Sequence, residues 1–283
     1  MAVDTADTVL LQAPVGERLS TRRVSKYWPA LWPKLVAIGI FVAGWQILVW
    51  TGWKPEYLIP SPFTVFDALL HDLPTLAGAV GVTMRRAAVG FGLSILIGGV
   101  IGLAVARVRI LRAGIGSMIT GLQTMPSVAW VPLAIVLFQL SEKAILFVVV
   151  LGAAPSIANG IIDGVDNVPP ILLRAGRMLG ARGLASLRYV VVPAALPAVV
   201  GGLKQGWAFA WRSLMAGELI TVFPGHIGIG QSLNIAAQNA DFVGVYEAMI
   251  VIFLLGVAID ALVFGNMERA IRKRYGLVDA AAL

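Results

Sequence analysis

Charged residues punctuate this chain at wide intervals, and the stretches between them are almost wholly apolar. A helix that crosses a bilayer needs about 20 predominantly apolar residues. Six stretches meet that need: Leu35–Trp53, Ala87–Ala106, Ala113–Ser141, Ala144–Ile162, Tyr189–Gly217 and Phe242–Met267. The third contains Pro126 and Pro132, each of which removes a helix hydrogen bond and predicts a kink or break. The fifth contains Lys204 and Arg212, and the sixth has Glu247 and Asp260 near its ends. Residues 1–33 read as a polar N-terminal tail, 34–274 as the membrane domain and 275–283 as a short C-terminal tail. The first span follows a long polar segment and exceeds the about 7–15 apolar residues of a cleavable signal, so it is read as a retained helix.

Two segments between spans carry their own pattern. After the first span, Pro60-Ser61-Pro62 holds the chain extended, and Ser61 with Pro62 makes a helix start. Phe63, Phe66, Leu69, Leu70 and Leu73 then recur at helical spacing, predicting a short amphipathic helix on the membrane surface or a packed loop. Residues 163–192 are too charged to span. Pro169 and Pro170 suit a helix start, and Ile171, Leu172, Ala175, Met178 and Leu179 recur at three to four residues. Gly180 breaks that period and fits a helix C-terminus. A second short helix follows through Leu184, Leu187 and Tyr189, ending before Pro193. Two helices hinged at a glycine predict a protruding knob, and Gly180 and Gly183 leave its backbone open to close approach. An interfacial hairpin resting on anionic lipid is the other reading of the same pattern.

Composition agrees with the pattern: 58% of residues are hydrophobic, 13% are charged and the mean hydropathy is +0.85. Average soluble domains carry about 25% charged residues, so this chain cannot cover its apolar surface in water. The net charge of +7 could suggest nucleic acid, but its distribution argues otherwise. With six crossings, sixteen Lys and Arg fall on one side, and Lys54, Arg85, Arg86 and Lys143 on the other. The positive-inside rule then places both termini in the cytoplasm, in a cell membrane, with no nucleic-acid partner.

Catalytic chemistry is sparse. Zero Cys and two His leave little for a metal centre. No Gly-Lys dipeptide opens a Walker A loop, so this chain is expected to bind no cofactor and to hydrolyse nothing. Gly225-His226-Ile227-Gly228-Ile229-Gly230 lacks the order of a dinucleotide fingerprint and reads as an outer gate or docking loop. Ionisable groups within spans are costly and mark functional hypotheses. Lys204 and Arg212 lie near one helix face and could attract an anion. They could equally be structural, with Arg212 paired to Glu218 or a neighbouring helix and Lys204 reaching the interface. Gly98-x-x-x-Gly102 and Gly202-x-x-x-Gly206 permit close helix contact. A stand-alone secondary transporter or channel would favour inverted repeats and several intramembrane carboxylates. No repeat is evident, and Glu218 is the only deep carboxylate.

In the 163–192 segment the sequence resembles the inner-membrane permeases of ABC importers. Their signature is Glu-Ala-Ala, three residues, Gly, nine residues, then Ile-x-Leu-Pro. Here it reads Arg174-Ala175-Gly176, Gly180, then Val190-Val191-Val192-Pro193, with the spacing intact and Arg174 in place of the Glu. Pro60-Ser61-Pro62, the run Met125 to Leu133, Pro193 to Pro197 and Trp211 to Glu218 resemble the nitrate/sulfonate/taurine branch. That resemblance implies an all-α permease fold (type I). It implies an ATPase-coupling element built on Arg174, Ala175, Gly176, Arg177, Gly180, Arg182 and Pro193. It also implies two copies of an ABC ATPase holding ATP and Mg, a second permease copy and an extracytoplasmic binding protein, with membrane lipid around the spans. Gln123, Met125, Trp130, Gln205, Trp211, Arg212 and Glu218 are candidates for the translocation pathway. The implied solute is a small anion, an aliphatic sulfonate first, with nitrate, taurine, bicarbonate or a pyrimidine precursor as alternatives.

Overall fold

The computed structural model describes residues 22–221 and 225–275 and is helical nearly throughout. The chain forms two compact units, 1–62 and 63–283. In the first unit, α1 (Arg22–Trp50) carries the apolar stretch Trp32–Trp50. It takes in residues 22–33, the last part of the expected tail. The rest of that tail, and the C-terminal one beyond Tyr275, lie outside the described residues. The Trp45 indole donates to the Pro60 carbonyl at 3.1 Å, folding the Pro60-Ser61-Pro62 segment back on α1.

Helix α2 (Pro62–His71), the short helix predicted after Ser61, starts at the last residue of the first unit and runs into the second. His71 Nδ1 donates to the Asp67 carbonyl at 2.8 Å, and this bond, with the Asp67 carboxylate at 3.7 Å, raises its pKa. Then follow α3 (Leu73–Arg107), α4 (Arg109–Thr124), α5 (Val131–Phe138), α6 (Glu142–Asp166) and α7 (Pro170–Met178). After a single turn, α8 (Leu184–Ser186), come α9 (Val192–Ile220), α10 (Ile229–Gln238), α11 (Phe242–Ile259) and α12 (Gly265–Arg274). Among the described residues, five helical stretches are long and apolar enough to cross a membrane, or six if the bent α4–α5 pair counts as one.

Helix α6 is the centre of the second unit and packs against both α3 and α9. The seams are close because their residues are small. A Cβ on Gly98 of α3 would stand 2.5 Å from the Ala154 carbonyl oxygen, and one on Gly202 of α9 would stand 2.5 Å from the Gly160 Cα. Around these seams lies an apolar core of Ile145, Val149, Ala153, Trp207, Ala210 and Leu214. Phe91 meets Trp207 edge-on at 5.3 Å, the geometry aromatic quadrupoles favour.

Helix α3 starts earlier than the sequence expectation, the third stretch breaks as a proline predicts, and two further stretches carry turns that the pattern does not announce. Helix α3 begins at Leu73, well ahead of Ala87, so Arg85 and Arg86 lie inside a continuous helix rather than in a loop. The third stretch is bent by 105° between Ile110–Thr124 and Ser127–Phe138. The break falls at Met125-Pro126, while Pro132 sits in the first turn of α5, where its missing N–H costs nothing. The fifth and sixth stretches each contain a π turn, Leu187–Val191 and Asp260–Phe264. Such widened turns often occur at functional sites.

Candidate functional site

The 163–192 segment forms a knob whose geometry follows from two glycines. Helix α7 ends at Met178, and Gly180 adopts φ +82°, the left-handed conformation that closes a helix at low cost only for glycine. The Gly180 N–H donates to the Arg177 carbonyl at 3.1 Å and the Ala181 N–H to the Gly176 carbonyl at 2.9 Å. This pair of bonds is a Schellman cap, which satisfies carbonyls the helix end would leave bare. Gly183 also takes positive φ, at +54°, and launches the next turn. The reversal projects Met178, Leu179 and Leu184, which are 84%, 89% and 82% exposed. Arg174, Arg177, Arg182 and Arg188 are exposed around them. Gly176 faces inward: a Cβ there would meet Val190 Cγ2 at 2.7 Å, so Val190 fills the space an alanine methyl would take. Ala175 is half-buried, and the Pro193 carbonyl accepts from the Tyr275 hydroxyl at 2.7 Å, tying α9 to the end of α12.

The pathway candidates are distributed over two places. At the break after α4, Gln123 and Trp130 are half-buried and Met125 is exposed. Asn159 of α6 donates its amide to Gln123 Oε1 at 2.7 Å. On α9, Gln205 is exposed and Trp211 half-buried, stacked on Trp207 at 6.0 Å. Arg212 is exposed and lies along its own helix, with Nε donating to the Ala208 carbonyl at 3.2 Å and its guanidinium 5.1 Å from the Phe209 ring centre. Lys204 reaches Glu268 at 3.5 Å and Asp260 at 3.9 Å, so its partners lie near the end of the sixth stretch and just beyond it, on α12.

Glu218 has a different setting from the one expected for a pathway residue. It is fully buried and pairs with Arg86, not Arg212, at 2.8 Å. Six residues on a helix are about 120° out of register, so Arg212 and Glu218 point apart. Thr83 donates to the Glu218 carboxylate at 2.9 Å, and the Gly230 N–H donates at 3.0 Å. Arg86, only 1% exposed, also donates to the His226 carbonyl at 2.7 Å and to Gln231 Oε1 at 3.3 Å. Gln231 in turn accepts from the Gly228 N–H and donates to the Thr221 carbonyl. The Gly225–Gly230 run is therefore a clasp: its backbone wraps a buried carboxylate at the start of α10, where the helix dipole favours negative charge. Thr83 and Arg86 escape sequence reasoning because they lie more than a hundred residues from Glu218, and Gln231, though close in sequence to Gly228 and Thr221, belongs to no pattern that marks it. Among the described residues no group of His, Cys, Asp or Glu could hold a metal ion.

Residues 94–273 match the family described as binding-protein-dependent transport system inner membrane component. The bicarbonate transport system permease protein CmpB of Synechococcus elongatus is 31% identical over 236 residues, which cover 79% of this chain and 83% of that protein. The taurine transport system permease protein TauC of Escherichia coli strain K12 is 26% identical over 264 residues, covering 88% and 94%. Among solved structures, a chain of the inward-facing MetNI methionine ABC transporter is similar with a TM-score of 0.60 at 18% identity. That likeness covers 71% of this chain and 97% of the other, and bears on the fold alone. The chain belongs to the binding-protein-dependent inner-membrane component family: it is the permease of an ABC importer, a multi-pass membrane protein that transports rather than catalyses.

Proposed function

We propose that this permease, paired with a second copy, forms the pathway for a small oxoanion, an aliphatic sulfonate first among nitrate-, taurine- and bicarbonate-type solutes. Each copy docks one ATPase subunit, which holds ATP and Mg, and an extracytoplasmic binding protein delivers the solute. The relatives named for taurine and bicarbonate transport support the solute class. The excess of Lys and Arg on the side of the 163–192 segment supports a cytoplasmic placement for that segment and for both termini.

One observation carries the docking assignment: an exposed apolar tip, Met178, Leu179 and Leu184, ringed by arginines and held by a glycine-dependent reversal. An apolar anchor entering a pocket, with a charged rim around it, is the anatomy of a specific protein interface. Arg174, Ala175, Gly176, Arg177, Gly180, Arg182 and Pro193 shape or flank that tip. Leu179→Asp is expected to abolish copurification of the ATPase while the permease remains folded. A fully assembled, substrate-stimulated complex carrying Leu179→Asp would remove the tip from the interface.

Gln123, Met125, Trp130, Gln205, Trp211 and Arg212 line or flank the pathway, and Arg212 supplies positive potential to it. Glu218 acts from behind, by holding the Gly225–Gly230 clasp. In proteoliposomes with the partner subunits, Arg212→Ala is expected to lower taurine uptake at least tenfold, with assembly intact. Unchanged uptake would assign Arg212 to packing.

A further inference from the structure

The backbone between α4 and α5 is not helical at Met125-Pro126, and Thr124, Met125 and Pro126 are all exposed on the chain. Non-helical backbone at membrane depth cannot face lipid, because its N–H and C=O groups would lack partners there. It persists only when buried in protein or lining water. This chain does not bury it. The exposed face of α4 leading to the break is mixed rather than wholly apolar: Ser117, Thr120, Gly121 and Thr124 are exposed there beside Met118. The exposed face of α11 instead presents Met249, Phe253, Leu254 and Val257, as a lipid-facing surface should.

At this break the Asn159 amide donates to Gln123 Oε1 at 2.7 Å, and both residues are half-buried. The Gln123 amide nitrogen keeps two N–H donors with no partner among the described residues. Holding the Gln123 oxygen fixes which end of that amide is turned outward. Asn159 thus orients a donor-rich, uncharged group at the point where the span opens.

We propose that Asn159 is a positioning residue for anion recognition, presenting the Gln123 N–H donors to the oxoanion as it passes the break. This rests on the oxoanion pathway proposed above and goes further by naming the recognising group. Neutral donors suit a passing ion, since conduction needs binding that is weak enough to release. A buried cation at the same place would hold the ion more firmly.

The absence of cysteine allows a direct test, since any thiol introduced is the permease's own. Thr124→Cys, on the exposed end of α4 beside Gln123, would be assembled with the ATPase and binding protein, leaving Gln123 and Asn159 in place. The complex would be treated with anionic 2-sulfonatoethyl methanethiosulfonate or cationic 2-trimethylammonioethyl methanethiosulfonate, and adducts on the permease followed by mass. Leu137→Cys, on the exposed apolar face of α5, is the lipid-facing control. Labelling at 124 is expected to be at least about tenfold faster than at 137, because the reactive thiolate forms in contact with water, with the anionic reagent about threefold faster than the cationic one, within what a neutral hydrogen bond supplies. Asn159→Ala is expected to remove that preference at Thr124→Cys, where Gln123 is still present, while leaving the thiol reactive, whereas a merely structural Asn159 would leave the preference unchanged. An ATP-hydrolysing complex in which the thiol at 124 does not react, or in which the cationic reagent reacts faster, overturns the proposal. Loss of ATPase assembly in the parent chain would instead refute the importer reading itself, so the two failures are distinguishable.

Discussion

Arg86→Ala is expected to cost this permease about 3–5 kcal/mol, the usual penalty for breaking a buried ion pair by removing one partner. The loss follows from what stays behind. Glu218 is fully buried, and without Arg86 its charge is left with the Thr83 hydroxyl and the Gly230 N–H. The His226 carbonyl loses its donor as well, so the Gly225–Gly230 clasp loosens at two points. Arg86→Lys should rescue only part of the loss. A guanidinium reaches Glu218, Gln231 and His226 in one plane, and an ammonium cannot copy that fork. Arg86→Ala/Glu218→Ala should be more stable than Arg86→Ala alone, since it removes the stranded charge. Unfolding midpoints of the two single variants and the double variant close a mutant cycle, with a coupling energy of at least about 1 kcal/mol expected. Additive losses would mean the pair carries no coupling and that the clasp is held by packing alone.

The same pair marks the limit of what the chain pattern discloses. Spans were legible because lipid demands long apolar runs, and that demand leaves a local signal in the sequence. Arg85 and Arg86 misled the reading of α3, since a charge neutralised by a distant residue looks like a charge in a loop. Nothing near Arg86 announces Glu218, which is 132 residues away. The knob was more readable: the period of α7, its stop at Gly180 and the restart at Leu184 are local events with local causes. The break at Pro126 was visible as a proline, yet only the fold separates it from Pro132, which is absorbed in a first turn. Asn159 carried no signal, because its meaning depends on facing Gln123 across two helices.

Gly202→Leu is expected to abolish the folded permease, while Gly201→Leu beside it is expected to be tolerated. Both are apolar-for-glycine changes in α9, so helix propensity and span hydrophobicity change alike. They differ in what the new side chain meets. At 202 a Cβ would stand 2.5 Å from the Gly160 Cα, whereas at 201 it would have nothing within 4 Å. The neighbour at 202 is backbone, which has no rotamer to yield. Helices α6 and α9 would have to separate, and the whole seam with them. Overpacking ordinarily costs about 1–3 kcal/mol, and a rigid helix–helix contact leaves little room for the relaxation that keeps the cost in that range. Small residues act in membranes by letting backbones approach, since apolar side chains gain little from leaving lipid for protein. Gly202→Ala is the graded case, and its cost should be intermediate. Yield of monodisperse protein and the thermal midpoint in detergent would check the series. Equal midpoints for the 201 and 202 leucine variants would show that the α6–α9 contact does not hold the bundle together.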